Sequence, residues 1–572
     1  MKKTVFLFTF FCSLSYFLSA QGFVALGNIA PDTNCGVMLL LTDGTVIAKT
    51  YTGGNDGIGN TWDKLTPDAN GSYVNGTWSV IAPMHDTRLY FSSQILKDGR
   101  VYVAGGEYGT GYGSSEIYDP VNDSWSTPIF SLNGDFISDA NSEMLENGKI
   151  LQAVVSSTGF GYDGNYLYDI ASNSYTQGAT SLGSHDESAW LKLPDGSILF
   201  PDLNDTTTER YITSTGQWIA DAPTPFPLYD PNVFEMGGAV LLPNGQALFL
   251  GGNNQNAIYT PSGTTAPGTW SAAANFPNGL GVSDGACAMM PNGKVLCAAA
   301  PITGFYSTPV YYYEYDYTTD TFDPITAPDG NDTNSVPAYF TNMLCLPDGN
   351  ILYCDQGSKQ YYVYEPSGAQ LSSGMPTVGM VTQLGCNDFR AHGTLFNGIS
   401  EGASYGDDWQ MSTNYPIVRL THGSNVYYAR TSNWNSYGVM RGSLPDSCDF
   451  FVPNSVPYNT YQLQVIANGI ASAPVNFIWN GCLGVNSPTE HAELSVHPNP
   501  SDGAFTFTYD LFSSSNAQVK IFNTLGEEVD AHELNSTSGE LHLDESALDA
   551  GIYIAELFVD GRIVRTEKMV KQ

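Results

Sequence analysis

The chain has 572 residues and a formal net charge of −36, with 59 glycines, 35 tyrosines, 28 phenylalanines and only 21 lysines and arginines. That balance excludes a nucleic-acid binder, which needs cationic side chains to displace phosphate counterions. It suits an extracellular protein kept apart from its copies by charge.

Residues 1–20 open with Lys2 and Lys3, continue through the apolar run VFLFTFFCSLSYFLSA, and reach small residues before Gln21. A short positive segment, an apolar core too short to span a bilayer and a small-residue cut site predict a secretory signal peptide. No later stretch is apolar for long enough to cross a membrane as a helix, so a released or surface-attached chain is expected. Beyond Cys12 there are eight cysteines and no CxxC pair, which argues against zinc and leaves disulfides open in an oxidising compartment.

Over residues 21–384 one pattern recurs seven times: an apolar strand, an Asp-Gly or Asn-Gly turn, and a second apolar strand. The turns are TDGTVIA, KDGRVYVAGG, ENGKILQ, PDGSILF, PNGQALFLGG, PNGKVLC and PDGNILY, with their Asp or Asn at 43, 98, 147, 195, 244, 292 and 348. A Tyr-rich strand such as EIYDP or YLYDI follows in most units, and then an aromatic residue such as Trp125, Tyr175, Trp218, Trp270 or Phe322. The turns dictate hairpins, and a period near 50 residues predicts four-stranded propeller blades. Cys287 and Cys297 lie symmetrically about Asn292 in CAMMPNGKVLC, so a hairpin there brings them face to face as a predicted disulfide. Residues 385–481 alternate as strands and read as an immunoglobulin-like sandwich. Residues 482–493 are a linker, and residues 494–572 a second, smaller β-sandwich. The fold class expected is all-β throughout.

In a propeller the innermost strands line a central channel, and ligands gather at its mouth. Eight positions before each turn stand Cys35, Tyr90, Asp139, Glu187, Met236, Asp284 and Phe340; one position earlier stand Asn34, Leu89, Ser138, Asp186, Glu235, Ser283 and Tyr339. Ordinary core would be small and apolar here. Tyrosines and carboxylates at one level predict a ligand site made of Asp139, Asp186, Glu187, Asp284 and Phe340, suited to the rings and hydroxyls of an extracellular glycan or other polymer. A hard cation such as calcium among Asp139, Glu187 and Asp284 is a further reading, because such ions take oxygen ligands. Asp407 and Asp408 in YGDDWQ read as a turn cap. No Ser-His-Asp order, phosphate loop or HExxH helix appears, so hydrolase and nucleotide-binding classes drop out.

The spacing, the Gly-Gly after the second strand and the paired aromatics resemble kelch repeats. The tail resembles the C-terminal sorting domain of the Bacteroidetes type IX secretion system, through HPNP at 497–500, Gly526, LDAGIYI at 548–554, Lys568 and Lys571. That resemblance implies type IX machinery as a partner after Sec export, and release or anchoring at the outer-membrane surface of a Gram-negative bacterium.

Seven kelch blades followed by an immunoglobulin-like domain also resemble the galactose oxidase and glyoxal oxidase family. There a first-blade cysteine is joined by a thioether to a second-blade tyrosine that binds copper and carries a radical; Cys35 in NCGV and Tyr90 in RLYFSS match those positions. The resemblance implies Tyr339 as copper ligand and base, Tyr108 as the aromatic over the thioether, and His422 as a last-domain ligand. Phe340, however, stands where the family has a histidine. Imidazole is the strongest protein donor for copper(II), and phenylalanine cannot replace it. His85 and His185 are the only histidines in the propeller, and a rearranged site would draw on His185. The favoured expectation is a glycan-binding protein with an altered copper pocket. The alternative is a copper-radical oxidase turning primary alcohols or aldehydes of carbohydrates into oxidised product plus hydrogen peroxide.

Overall fold

The computed structural model describes residues 21–131, 135–137, 139, 141–155, 164–402, 410–480, 493–511, 517–524, 526–559 and 562–572, apart from the side chains of 34, 35, 493 and 562–564. These residues form two compact units, one ending at Trp479 and the other beginning at Asn480. Among them the regular structure is strands and short 3-10 turns, with no α-helix.

Seven antiparallel sheets of four or five strands follow one another through the first unit. The first blade runs Asn34–Leu40, Val46–Thr50, Trp62–Thr66 and Thr77–Ile81, and the others repeat this meander. The seventh has three strands of its own, Thr341–Cys345, Ile351–Asp355 and Tyr362–Glu365, and takes its outer edge from Gly22–Ala25 at the start of the described chain. Phe23 on that borrowed strand sits 4.9 to 5.5 Å from the ring centres of Tyr312, Tyr353 and Tyr364. The start of the chain and its seventh blade thereby share one sheet, which closes the circle of blades.

The turn chemistry explains why the seven units fold alike. In every Asp-Gly or Asn-Gly turn the glycine is left-handed, with φ between 78° and 92°. The preceding Asp or Asn accepts a hydrogen bond at 3.0–3.1 Å from the backbone N–H two residues on. Glycine supplies the positive φ without a Cβ penalty, and the Asx side chain fixes the bend, so register is set at each hairpin. The recurring aromatics meet across the third and fourth strands, as Tyr118 with Trp125, Tyr168 with Tyr175, Tyr211 with Trp218, Tyr259 with Trp270 and Tyr315 with Phe322. Such cross-strand pairs stabilise the outer half of a blade.

Cys287 and Cys297 do stand opposite one another in the sixth blade, but the predicted disulfide is not there: both are buried thiols. The Cys297 thiol donates along its own strand to the Val295 carbonyl at 3.7 Å. Burial pushes the Cys287 thiol up to about 12, away from the thiolate that disulfide formation requires. Cys386 is the disulfide-bonded cysteine of the first unit's described residues.

The sandwich is an eight-stranded sheet system packed on Phe389, Phe450, Phe477 and Trp479. Its first strand, Thr377–Gln383, pairs with Asp388–Thr394, so the sandwich begins before the expected boundary at 385. Its core is continuous with the apolar interior of blades one to four and seven. The hairpin turns of the blades lie against it: Thr431 and Asn433 donate backbone N–H to Thr42 and Lys97. A buried segment also reaches from the sandwich into the channel. The Gln410 side chain takes the Met38 N–H of blade one at 2.9 Å and donates to the Met343 carbonyl of blade seven at 2.6 Å. Met411 Sδ accepts from the Ile95 N–H of blade two.

The second unit pairs a three-stranded sheet, Glu493–His497, Ala504–Asp510 and Ser538–Asp544, with a four-stranded one that ends in Gly551–Val559 and Arg562–Lys571. Phe505, Phe507, Val519, Ile521, Ala555 and Leu557 fill the space between them.

Candidate functional site at the channel mouth

Apart from Asn34 and Cys35, which open the strand Asn34–Leu40, the residues counted back from the turns stand just before the innermost strands, at the end of the channel remote from the sandwich. Four of the seven positions share one uncommon backbone feature. Tyr90, Asp139, Glu187 and Asp284, at the same position in blades two, three, four and six, have φ of 55°, 46°, 55° and 51°. In the fifth blade Phe234, two positions earlier, has φ 63°. Left-handed backbone costs an L-residue free energy and concentrates where a site demands it. Here it recurs at the mouth of the channel in blades two to six.

Two clusters occupy this mouth. In the first, Tyr90 is buried with its ring 6.1 Å from Tyr108 and 6.4 Å from Tyr339. Phe340 packs edge-on to Tyr339 at 4.8 Å. Gln356, from the loop after the seventh blade's second strand, ties the group together. Its Nε2 donates to the Tyr90 hydroxyl at 3.1 Å, and its Oε1 accepts from the Tyr51 hydroxyl at 2.7 Å. In the second cluster the carboxylates of Glu187, Glu235 and Asp284 converge. Tyr306 joins the two, with its ring 4.7 Å from Tyr339 and its hydroxyl donating to Glu235. Burial and the Glu235 charge raise Asp186 to about 6, and burial also lifts Glu107. Four aromatic side chains stand open to solvent beside these groups: Tyr108 at 49% exposed, Phe234 at 56%, Phe305 at 77% and Tyr306 at 38%.

The structure thus brings Tyr90, Tyr108, Tyr339 and Phe340 together, and Glu187 with Asp284. Asp139 stands at the equivalent position but is not among the converging carboxylates, whose third member is Glu235. The side chain of Cys35, and both Asp407 and Asp408, lie outside the described residues. Two expected copper ligands are elsewhere. His422 is exposed at a hairpin of the sandwich, beside the Thr460 carbonyl and Asn459. A turn residue is free to satisfy its ring locally, and this one does. His185 is buried inside the fourth blade between Phe200, Trp190 and Trp218, with Ser181 at its Nε2. Burial pulls it down to about 3, so it is a neutral core histidine.

The donor set therefore does not fit copper(II). Tyr90 and Tyr339 offer phenol oxygens, but no described histidine joins them, and residues 403–409 contain none in their sequence. Copper(II) at a protein site calls for nitrogen donors in a tetragonal set, and Phe340 supplies nothing. Gln356, Tyr306 and Glu235 went unnoticed as partners of this site in the sequence. Glu235 alone carried a signal, one position before the ring in blade five. Gln356 and Tyr306 sit in loops that carry no repeat.

Residues 495–572 match the family of secretion system C-terminal sorting domains. No curated protein sequence matches the chain. Among solved structures, a fungal alcohol oxidase of the AA5 family in complex with copper is similar at 16% identity and a TM-score of 0.49, over 81% of this chain and 99% of that one. A streptogramin B lyase is similar at 12% identity and a TM-score of 0.41, over 60% of this chain and 97% of that one. The sorting domain marks the chain for the type IX secretion machinery, and so for release or attachment at the cell surface. Among the described residues no helix is long and apolar enough to cross a membrane.

Proposed function

We propose that this exported protein binds an extracellular carbohydrate polymer at the channel mouth remote from the sandwich. The observation that carries the reading is the set of solvent-open rings, Tyr108, Phe234, Phe305 and Tyr306, beside a floor of carboxylates. Pyranose rings stack their C–H faces on aromatic side chains, and their hydroxyls donate to carboxylate oxygens. The negative floor and the chain's overall charge favour neutral or amino sugars and repel uronic or sulfated ones.

Affinity electrophoresis of the mature protein through gels cast with soluble neutral, cationic and anionic polysaccharides tests this. Retardation by a neutral or cationic polymer is expected, and Tyr306→Ala with Phe305→Ala should weaken it by about tenfold or more. Equal mobility in every gel overturns the proposal. The oxidase alternative makes a different demand. On the donor set described here, copper and air leave the peptides bearing Cys35 and Tyr90 separate in mass mapping. Peptides joined with loss of two hydrogens would restore the oxidase reading.

A further inference from the structure

We propose that Glu187, Glu235 and Asp284, contributed by blades four, five and six, hold one calcium ion at the channel mouth. Each offers one carboxylate oxygen, and the three oxygens lie within 4.8 Å of one another. That spread matches oxygens on opposite sides of a calcium ion, which takes ligands at about 2.3–2.6 Å. Three carboxylates so close repel one another strongly out of bulk water, and a shared cation or proton relieves the repulsion.

Glu235 decides between a mere acidic cluster and a site. It is only 6% exposed. Its Oε1 accepts from the Tyr306 hydroxyl, while its Oε2 is buried without a hydrogen bond. No lysine or arginine among the described residues pairs with Glu235 within salt-bridge distance. A buried carboxylate oxygen left unmet costs stability, and a metal ion meets it. All-oxygen donors select calcium over copper or zinc. Six to eight ligands remain attainable with water on the open side of the mouth, where magnesium would demand a tighter octahedron. Glu187 and Asp284 reach the cluster from left-handed backbone, an arrangement the blades retain despite its cost. The three ligands are also the floor of the carbohydrate reading: bound calcium leaves that floor one formal charge negative and open to sugar hydroxyls, and calcium uptake is measured without sugar, so either reading can fail alone.

The test is calorimetric titration of calcium chloride into the chelator-treated full chain, with Glu235→Gln, Asp284→Asn and Asp530→Asn alongside. The last variant controls for the Asp530, His532 and Glu545 group of the second unit. Calcium uptake by the unmodified chain is expected, weakened at least tenfold by Glu235→Gln and by Asp284→Asn and unchanged by Asp530→Asn. Glu235→Gln keeps the side-chain shape and an acceptor for Tyr306, and a matching near-ultraviolet dichroism spectrum will show that it folds. Tyrosine-sensitised terbium emission that calcium displaces gives a second readout on the unmodified chain alone. No uptake and no emission, or uptake indifferent to both channel variants, overturns the proposal.

Discussion

At the scale of single residues, Gln356 shows how much of the mouth depends on one amide. It bridges Tyr51 and Tyr90, which come from different blades, and its own backbone N–H reaches the Phe340 carbonyl at 2.8 Å. Gln356→Leu keeps the bulk and removes both side-chain bonds, so a loss of about 1–2 kcal/mol in denaturant unfolding is expected. The cysteines give a second check. Alkylation of the unfolded, unreduced chain should label Cys287, Cys297, Cys345, Cys354 and Cys448 and leave Cys386 unlabelled. Counting back from the turns was enough to bring Tyr90, Glu187 and Asp284 to one level, because strand period and hairpin turn fix position rigidly. It could not find Gln356 or Tyr306, whose loops obey no period. It also misplaced His422, because a resemblance loosely aligned across a sandwich hairpin says little about where the ring points.

At the scale of elements, the hairpin turns behave differently from the plug that Glu401, Gln410 and Met411 form where the sandwich enters the channel. Gly196 has φ 78° and open space where a Cβ would stand. Gly196→Ala should therefore cost only the conformational term, about 1–2 kcal/mol. Gly105 has the same φ, but its Cβ would fall 1.5 Å from the Ile137 carbonyl oxygen. Gly105→Ala should prevent the second blade from packing, read as loss of soluble, cooperatively melting protein. The plug carries a buried charge group. Lys192 of blade four lies 2.8 Å from Glu143 of blade three and 3.7 Å from Glu401 of the entering segment. One ammonium cannot fully serve two buried carboxylates, and burial with the Glu143 charge raises Glu401 from 4.5 to about 8. The folded chain thus keeps a proton that the unfolded chain releases near 4.5. This contribution to stability is complete below that value and is lost as pH rises towards 8. Thermal melts of Glu401→Gln across that range should fall less steeply with pH than those of the unmodified chain. The blades were legible because seven Asx-Gly turns declare them. The plug was not, because nothing periodic marks residues 401 and 410 as reaching the centre of the ring.

At the scale of the whole molecule, the strand Gly22–Ala25 closes the propeller. Four residues without alternation gave no reason to assign it to the seventh blade. Phe23 is only half-buried, so Phe23→Ala should fall at or below the lower end of the range for a core phenylalanine, about 3 kcal/mol. The Gln21 amide and the Tyr364 hydroxyl that meet beside this strand are 343 positions apart in the chain. Because a contact so remote forms after local hairpins have paired, Phe23→Ala is expected to quicken unfolding while leaving the refolding limb of a chevron nearly unchanged. The ring's first strand is therefore synthesised long before its partner exists. Until Tyr362–Glu365 has emerged, the nascent arc presents two unpaired edges, Gly22–Ala25 and Ile351–Asp355, each open to pairing with another chain. Export thus confronts the protein with a timing problem: completion of the circle belongs to the last moments of folding, and any carrier of the unfinished chain must shield those edges until then.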